Sequence, residues 1–138
     1  MEIEIFSLAD FANDSGNGKM NIIGTFDQIN ALSLPVVLPH CAVATRIRIA
    51  NSEAGTHSVE IVCIDPDGNE FQRLPVSMNV QPNPNAEYNA FNIPVNISNF
   101  KVDKLGKYAF ELYYDGEFRS GLTMHVVMLN GPKALKAA

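Results

Sequence analysis

Residues 105–129 read Leu-Gly-Lys-Tyr-Ala-Phe-Glu-Leu-Tyr-Tyr, then Asp115-Gly116-Glu117, then Phe-Arg-Ser-Gly-Leu-Thr-Met-His-Val-Val-Met-Leu. Two alternating apolar runs flank an Asp-Gly pair, the pattern of a tight β-hairpin. On the first run Tyr108, Phe110, Leu112 and Tyr114 share one face; on the second Leu122, Met124, Val126 and Met128 do. Successive side chains of a strand point to opposite sides, so each run buries one side against a core. The hairpin predicts a β architecture. It carries no signature of an activity.

Outward from this hairpin the pattern recurs. Residues 3–12 are largely apolar and end in the turn-forming cluster Asn13–Gly18. Residues 19–30 predict a second strand with apolar residues on both faces, where Gly24 marks a bulge or a close approach by another backbone. Ala31–His40 holds Pro35 and Pro39, so it is expected to be a connection or a broken edge segment. In the next run Cys41, Val43, Thr45, Ile47 and Ile49 predict a core face. Ala42, Ala44, Arg46 and Arg48 predict a face turned mostly to water. Two further strands, His57–Asp65 and Glu70–Val80, surround the turn Asp65-Pro66-Asp67-Gly68-Asn69, and Pro75 places the second at an edge. Gln81–Asn85, with two prolines, is a loop; Glu87–Ile97 is another strand; Asn99–Lys104 leads into the hairpin. About eight strands and no helical period predict an antiparallel sandwich or barrel. One domain is expected over residues 1–130, with 131–138 a loose tail.

Composition removes several classes. The chain has 138 residues, 46% hydrophobic and 18% charged, with a net charge of −5. That is a globular composition rather than a disordered one. Its ten Lys and Arg are scattered singly and make no basic stripe for nucleic acid. No apolar run approaches the ~20 residues of a membrane span. Met1–Ile5 alternates polar with apolar and lacks the basic start of an export signal, so a cytoplasmic protein is expected. In that setting Cys41 and Cys63, both in apolar runs, are expected to be buried thiols; a disulfide would need an oxidising compartment.

Gly106-x-Tyr108-x-Phe110-x-Leu112 resembles the penultimate strand of immunoglobulin-like and fibronectin-like sandwiches. That resemblance implies a hydrogen bond from Tyr108 back to the preceding corner, and an immunoglobulin-like antiparallel β-sandwich. A second resemblance rests on Ala9-Asp10-Phe11-Ala12, Gly18-Lys19-Met20-Asn21-Ile22-Ile23-Gly24-Thr25-Phe26-Asp27, Leu34-Pro35, the Arg46/Arg48 strand, Glu53-x-Gly55-x-His57 and Asp65-x-Asp67-Gly68. In order and spacing these are similar to a family of small bacterial proteins known only as a domain of unknown function. The likeness covers about residues 3 to 128. It implies the same sandwich and a bacterial origin, and supplies no activity, cofactor or catalytic residue.

Few constellations could carry chemistry. Asp65-x-Asp67-Gly68 resembles the start of a calcium loop, but no bidentate Glu follows at the required distance, so a plain turn is expected. Counting strands up and down places this acidic turn at the opposite end of the domain from Asp115 and Glu117. His40, His57 and His125 with the two cysteines lack the close spacing of a zinc site. His125 alternates with Met124 and Val126, so it is expected on the wetter face. Ser7 and Ser120 lie in no nucleophile motif, and Gly16-x-Gly18 precedes a strand rather than a phosphate-binding helix. No enzyme, metal or cofactor is therefore expected. What remains is surface: Tyr88, Tyr113, Phe118 and His125 are the candidate interaction residues, with Tyr113 either exposed or covered by a Pro-rich connection. The expectation is a protein-interaction or structural module, binding a protein partner or a second copy. A carbohydrate- or small-ligand-binding sandwich is the alternative, although Trp is absent.

Overall fold

A computed structural model describes residues 1–129; the expected tail at 131–138 lies outside them. Among the described residues nine strands form rather than about eight: β1 (Glu2–Asp14), β2 (Met20–Thr25), β3 (Gln28–Ala31), β4 (Val36–Ala50), β5 (Gly55–Ile64), β6 (Glu70–Val80), β7 (Tyr88–Val102), β8 (Gly106–Tyr114) and β9 (Glu117–Met128). A single 3₁₀ turn, Asn51–Glu53, joins β4 to β5. The strands make two sheets, ordered β2-β1-β4-β7 and β3-β9-β8-β5-β6. Their inner faces close on one core in which Phe110, Ile47, Ile49, Ile61, Leu112 and Met124 are fully buried. Each such side chain contributes about 1.5–3 kcal/mol by leaving water.

The extra strand comes from residues 19–30. Met20–Thr25 pairs with β1 in the smaller sheet, and Gln28–Ala31 pairs with β9 in the larger one. The chain changes sheets at Phe26-Asp27. The Phe26 N–H donates to the Leu8 carbonyl on one side, and the Asp27 carbonyl accepts from the His125 N–H on the other. Apolar residues on both faces reflect this crossing, not a doubly buried strand. The β3–β9 pair is parallel, so the expected purely antiparallel sandwich is corrected. Gly24 sits at a φ of 70°, and a Cβ there would stand 2.4 Å from Asp10 Oδ2. The close approach is thus by a carboxylate, not by another backbone.

The connection or edge segment expected at Ala31–His40 is borne out at residues 32–35, which lie outside the strands, and along Val36–Cys41, which among the described residues pairs with β7 alone; what differs is that the prolines do not break the strand. β4 begins at Val36 and runs through Pro39, paired with β7 on either side of that residue. Pro39 falls opposite Asn99, whose φ is 53°. Both strands change their inside–outside phase there together: Leu38 and Cys41 on β4, and Ile97 and Phe100 on β7, all join the core. β7 accordingly continues to Val102, where a lead-in segment is expected. The expected edge position of Pro75 is borne out, since β6 ends the larger sheet.

β1 pairs with β4 only from Glu2 opposite Arg48 to Ala9 opposite Ala42. Beyond Ala9 it parts from β4 and, with β2, crosses the outer face of its own sheet. Ala12, Ala42 and Ala44 are completely buried there, with Met20 and Ile22 packed on them. Asn96 Nδ2 donates to the Ala12 carbonyl, and Arg46 Nη1 reaches the Gly18 carbonyl. Half of the set expected to face water is therefore covered. The alanines make this possible, because nothing larger holds the two backbones apart.

The 105–129 hairpin forms as expected. Asp115 and Gly116 both have positive φ, 49° and 83°, which is the primed turn that matches strand twist. The Tyr108 hydroxyl accepts from the Lys104 N–H at 3.3 Å and donates to the Lys104 carbonyl at 3.2 Å, the corner that the resemblance implies.

Candidate functional site

The four candidate surface residues separate. Tyr113 and Phe118 meet edge to face on the outer side of the larger sheet, their ring centres 5.8 Å apart. The Tyr113 hydroxyl donates to Glu111, so the residue rests on its own hairpin and not beneath a Pro-rich connection. His125 is exposed on β9, as its alternation implies, but pairs with Lys107 at the far end of the hairpin from Phe118. Tyr88 lies on β7 in the other sheet, under the Arg48 guanidinium at 4.4 Å. Only Tyr113 and Phe118 form a pair.

Around that pair the larger sheet is polar. Arg73 binds Glu60 at 2.8 Å and Glu70 at 2.6 Å. Val62, although on this outer side, is only 3% exposed, between Arg73 and Glu111 on the flanking strands. The Phe118 ring lies over Gly121, 3.8 Å from where a Cβ would stand there. Phe118 remains 55% exposed, the largest apolar surface on this face.

A second cluster joins the Glu53-x-Gly55-x-His57 stretch to the Asp115 turn, two segments that no single motif connects. His57 Nδ1 lies 2.6 Å from Asp115 Oδ2, and Nε2 lies 2.6 Å from the Glu53 carbonyl. Its ring stacks on Tyr114, with centres 5.1 Å apart. The Asp115 carboxylate also accepts from the Ser58 N–H at 2.9 Å. Both imidazole nitrogens face acceptors, so the doubly protonated ring satisfies the site and the neutral ring leaves one contact unmade. The Asp115 carboxylate, followed by the Glu53 carbonyl, raises the His57 pKa; His57 in turn holds Asp115 below the usual carboxylate range. With both nitrogens engaged, His57 has none free to take a proton from a bound molecule. Burial pushes the Tyr114 phenol up to about 12, and its hydroxyl has no partner among the described residues. Sequence reading missed this cluster because 58 residues separate His57 from Asp115.

Glu53 links this cluster to a cleft of about 300 Å³ walled by Tyr88, Arg48 and Glu87. Arg48 is held there by Glu2 at 2.5 Å. At the other end of β5, Asp65 Oδ1 accepts from the Asp67 and Asn69 N–H groups, and Lys104 Nζ reaches both Asp65 and Asp67. The calcium-like turn is therefore filled by the chain's own donors. Asp115 lies beside Ser58 and Asp65 follows Ile64, so the two acidic turns stand roughly 20 Å apart along β5. No group of three or more metal-ligating side chains gathers among the described residues. Cys41 and Cys63 are buried and unbridged; burial pushes their thiols up to about 11 and about 12. Among the described residues, no helix is long and apolar enough to cross a membrane.

A family model of unknown function, DUF6941, matches residues 4–127. The chain belongs to DUF6941. That match spans nearly the whole two-sheet unit, from the first residues of β1 to the last of β9. No curated protein matches the chain. DUF6941 membership thus names a family without naming a function, and the geometry above is what remains to argue from.

Proposed function

We propose that this DUF6941 protein is a non-enzymatic, cytoplasmic, bacterial module with an immunoglobulin-like fold, and that it works through protein contacts. The fold reading is supported by strand placement. β9-β8-β5-β6 corresponds to the G-F-C-C′ sheet of variable-type domains, and β4-β7 to B-E. Tyr108 occupies the tyrosine corner at the start of the F-like strand. The inter-sheet disulfide is not part of the correspondence, because Phe110 stands where the second cysteine would fall.

The observation that carries the functional reading is the Tyr113–Phe118 pair on the larger sheet, with Phe118 exposed and Tyr113 half-buried. Buried contact there would remove apolar area that the fold itself leaves in water. Arg73 alongside Glu60, Glu70 and Glu111 gives the face both signs of charge. A two-fold interface sets the same patch of each subunit against the other, which would bury both copies of Phe118 together, so a second copy is the partner we favour. Five strands offer a face of roughly 25 by 30 Å, close to the ~800 Å² per partner of an ordinary interface. The two rings stand at 74°, so they form no flat platform, and nothing favours sugar stacking.

Light scattering across a concentration series tests this. A reversible dimer that Phe118→Glu weakens about tenfold or more supports it. A monomer at every concentration, or a dimer indifferent to Phe118→Glu, overturns it.

A further inference from the structure

We propose that the open margin of β4 binds an extended peptide strand, with one apolar side chain filling the cleft beside it and a flanking basic residue meeting Asp10. From Ala42 to Arg48 β4 has neighbours on both sides, but along Val36–Cys41 it has only β7 among the described residues. β1 leaves at Ala9 to cross the outer face, so among the described residues no strand covers that margin. Across the gap, β3 is the outermost strand of the larger sheet. Two unpaired strand margins thus flank the open side of the sandwich. Such margins present backbone donors and acceptors that an added strand can satisfy.

The gap between them holds a cleft of about 240 Å³. Its apolar walls are Phe26, Ile29, Leu38 and Cys41, and Asp10 and His40 stand at its mouth. That volume falls short of the ~300–1,000 Å³ usual for small-molecule sites and leaves room for one large apolar side chain. Strand addition combines these features: main-chain bonds give affinity and a pocket selects the side chain.

Charge and shape at the rim define the rest of the ligand. Asp10 is exposed and takes part in no ion pair among the described residues. It is pressed against Gly24, the position where a Cβ would collide with it. A Lys or Arg beside the buried side chain completes it, and the chain's net charge of −5 favours a basic segment. Beyond His40 the apolar surface continues. Phe11 packs edge-on against the imidazole at 5.5 Å and is 39% exposed, while its cross-strand neighbour Ile23 is 60% exposed. Side chains on one face of a strand repeat about every 7 Å, which carries a second apolar residue of the peptide onto this rim.

The probe is a fluorescein-labelled, N-acetylated heptapeptide, Lys-Val-Lys-Leu-Lys-Val-Lys, titrated against the full chain by fluorescence anisotropy. Saturable binding is expected, weakened about tenfold or more when Glu replaces every Lys or when alternate amides are N-methylated. Asp10→Asn is expected to weaken it similarly and to flatten its salt dependence. Amide hydrogen exchange on the unaltered protein is expected to show new protection within 37–41, which holds whether or not Asp10→Asn folds. Phe118→Glu is expected to leave binding unchanged, so this site and the Tyr113–Phe118 face fail or stand separately. Absence of binding at millimolar peptide overturns the proposal. So does equal binding of the Glu or N-methylated peptide, or protection confined to the β6 or β7 margin.

Discussion

The two acidic turns at opposite ends of β5 solve one problem with different cations. At Asp65–Asn69 the cation is Lys104, which spans Asp65 and Asp67. At Asp115 it is His57, held between Asp115 and the Glu53 carbonyl. A lysine beside carboxylates stays charged at every pH a protein normally meets, and here its pKa is raised further by Asp67 and Asp65. A histidine does not. The first end is therefore a constant clamp and the second a titratable one. Both oxygens of Asp65 and both of Asp115 are engaged by the chain's own donors; at Asp67, among the described residues, only Oδ2 is, through Lys104.

The comparison can be broken at either end. The largest effect is expected from Tyr108→Phe, which strips the Lys104 N–H and carbonyl of their partner. A loss of about 1–2 kcal/mol is expected, equal at pH 5.5 and pH 8.5, read by urea denaturation.

Next is His57→Asn. The folded pKa of His57 is raised, so its contribution is complete below its unfolded value of about 6.5 and disappears as pH climbs through the raised value. Asp115 runs the other way. Its folded pKa is lowered, so its contribution holds above an unfolded value of about 3.9 and is lost as acid titrates it. The pair stabilises most between these limits. Because Asp115 is 44% exposed, solvent screening holds the expected loss in His57→Asn to about 1 kcal/mol at pH 5.5, fading by pH 8.5. A pH-independent loss would reduce the cluster to packing on Tyr114.

Lys104→Met is expected to shift the melting temperature less and with no trend between pH 5 and pH 9, because the pair is solvated. Smallest of all is calcium. Millimolar calcium is expected to leave the melting temperature of the unaltered protein in place; an upward shift would mean that Lys104 yields its place to the ion.

The two ends also differ in how far they are legible in the sequence. Asp115-Gly116 between alternating runs signals its turn locally, because a primed turn demands two positive φ angles. Tyr108 four residues after Lys104 is a local relation as well. His57 opposite Asp115 is not: the contact exists only because β5 and β8 pair in one register, Val59 against Tyr114. The same holds for the surface candidates. Alternation placed His125 outward, and it is outward; it could not say that Tyr88 lies on the other sheet, since periodicity gives a side and not a neighbour. The prolines of 31–40 suggested a break, yet Pro39 is tolerated within β4 where only β7 pairs alongside and Asn99 turns left-handed opposite it.

By itself, then, the sequence determined the strands, most of their core-facing sets and the central hairpin. These rest on a period of two and on turn residues within a few positions of one another. Only the tertiary structure decided the change of sheet at Phe26-Asp27, the crossing of β1 and β2 over Ala42 and Ala44, and the margin of β4 that this crossing leaves without a strand partner among the described residues. Each depends on which strands pair and where a pairing stops. That is settled by packing between residues far apart in the chain, and alternation along one strand does not encode it.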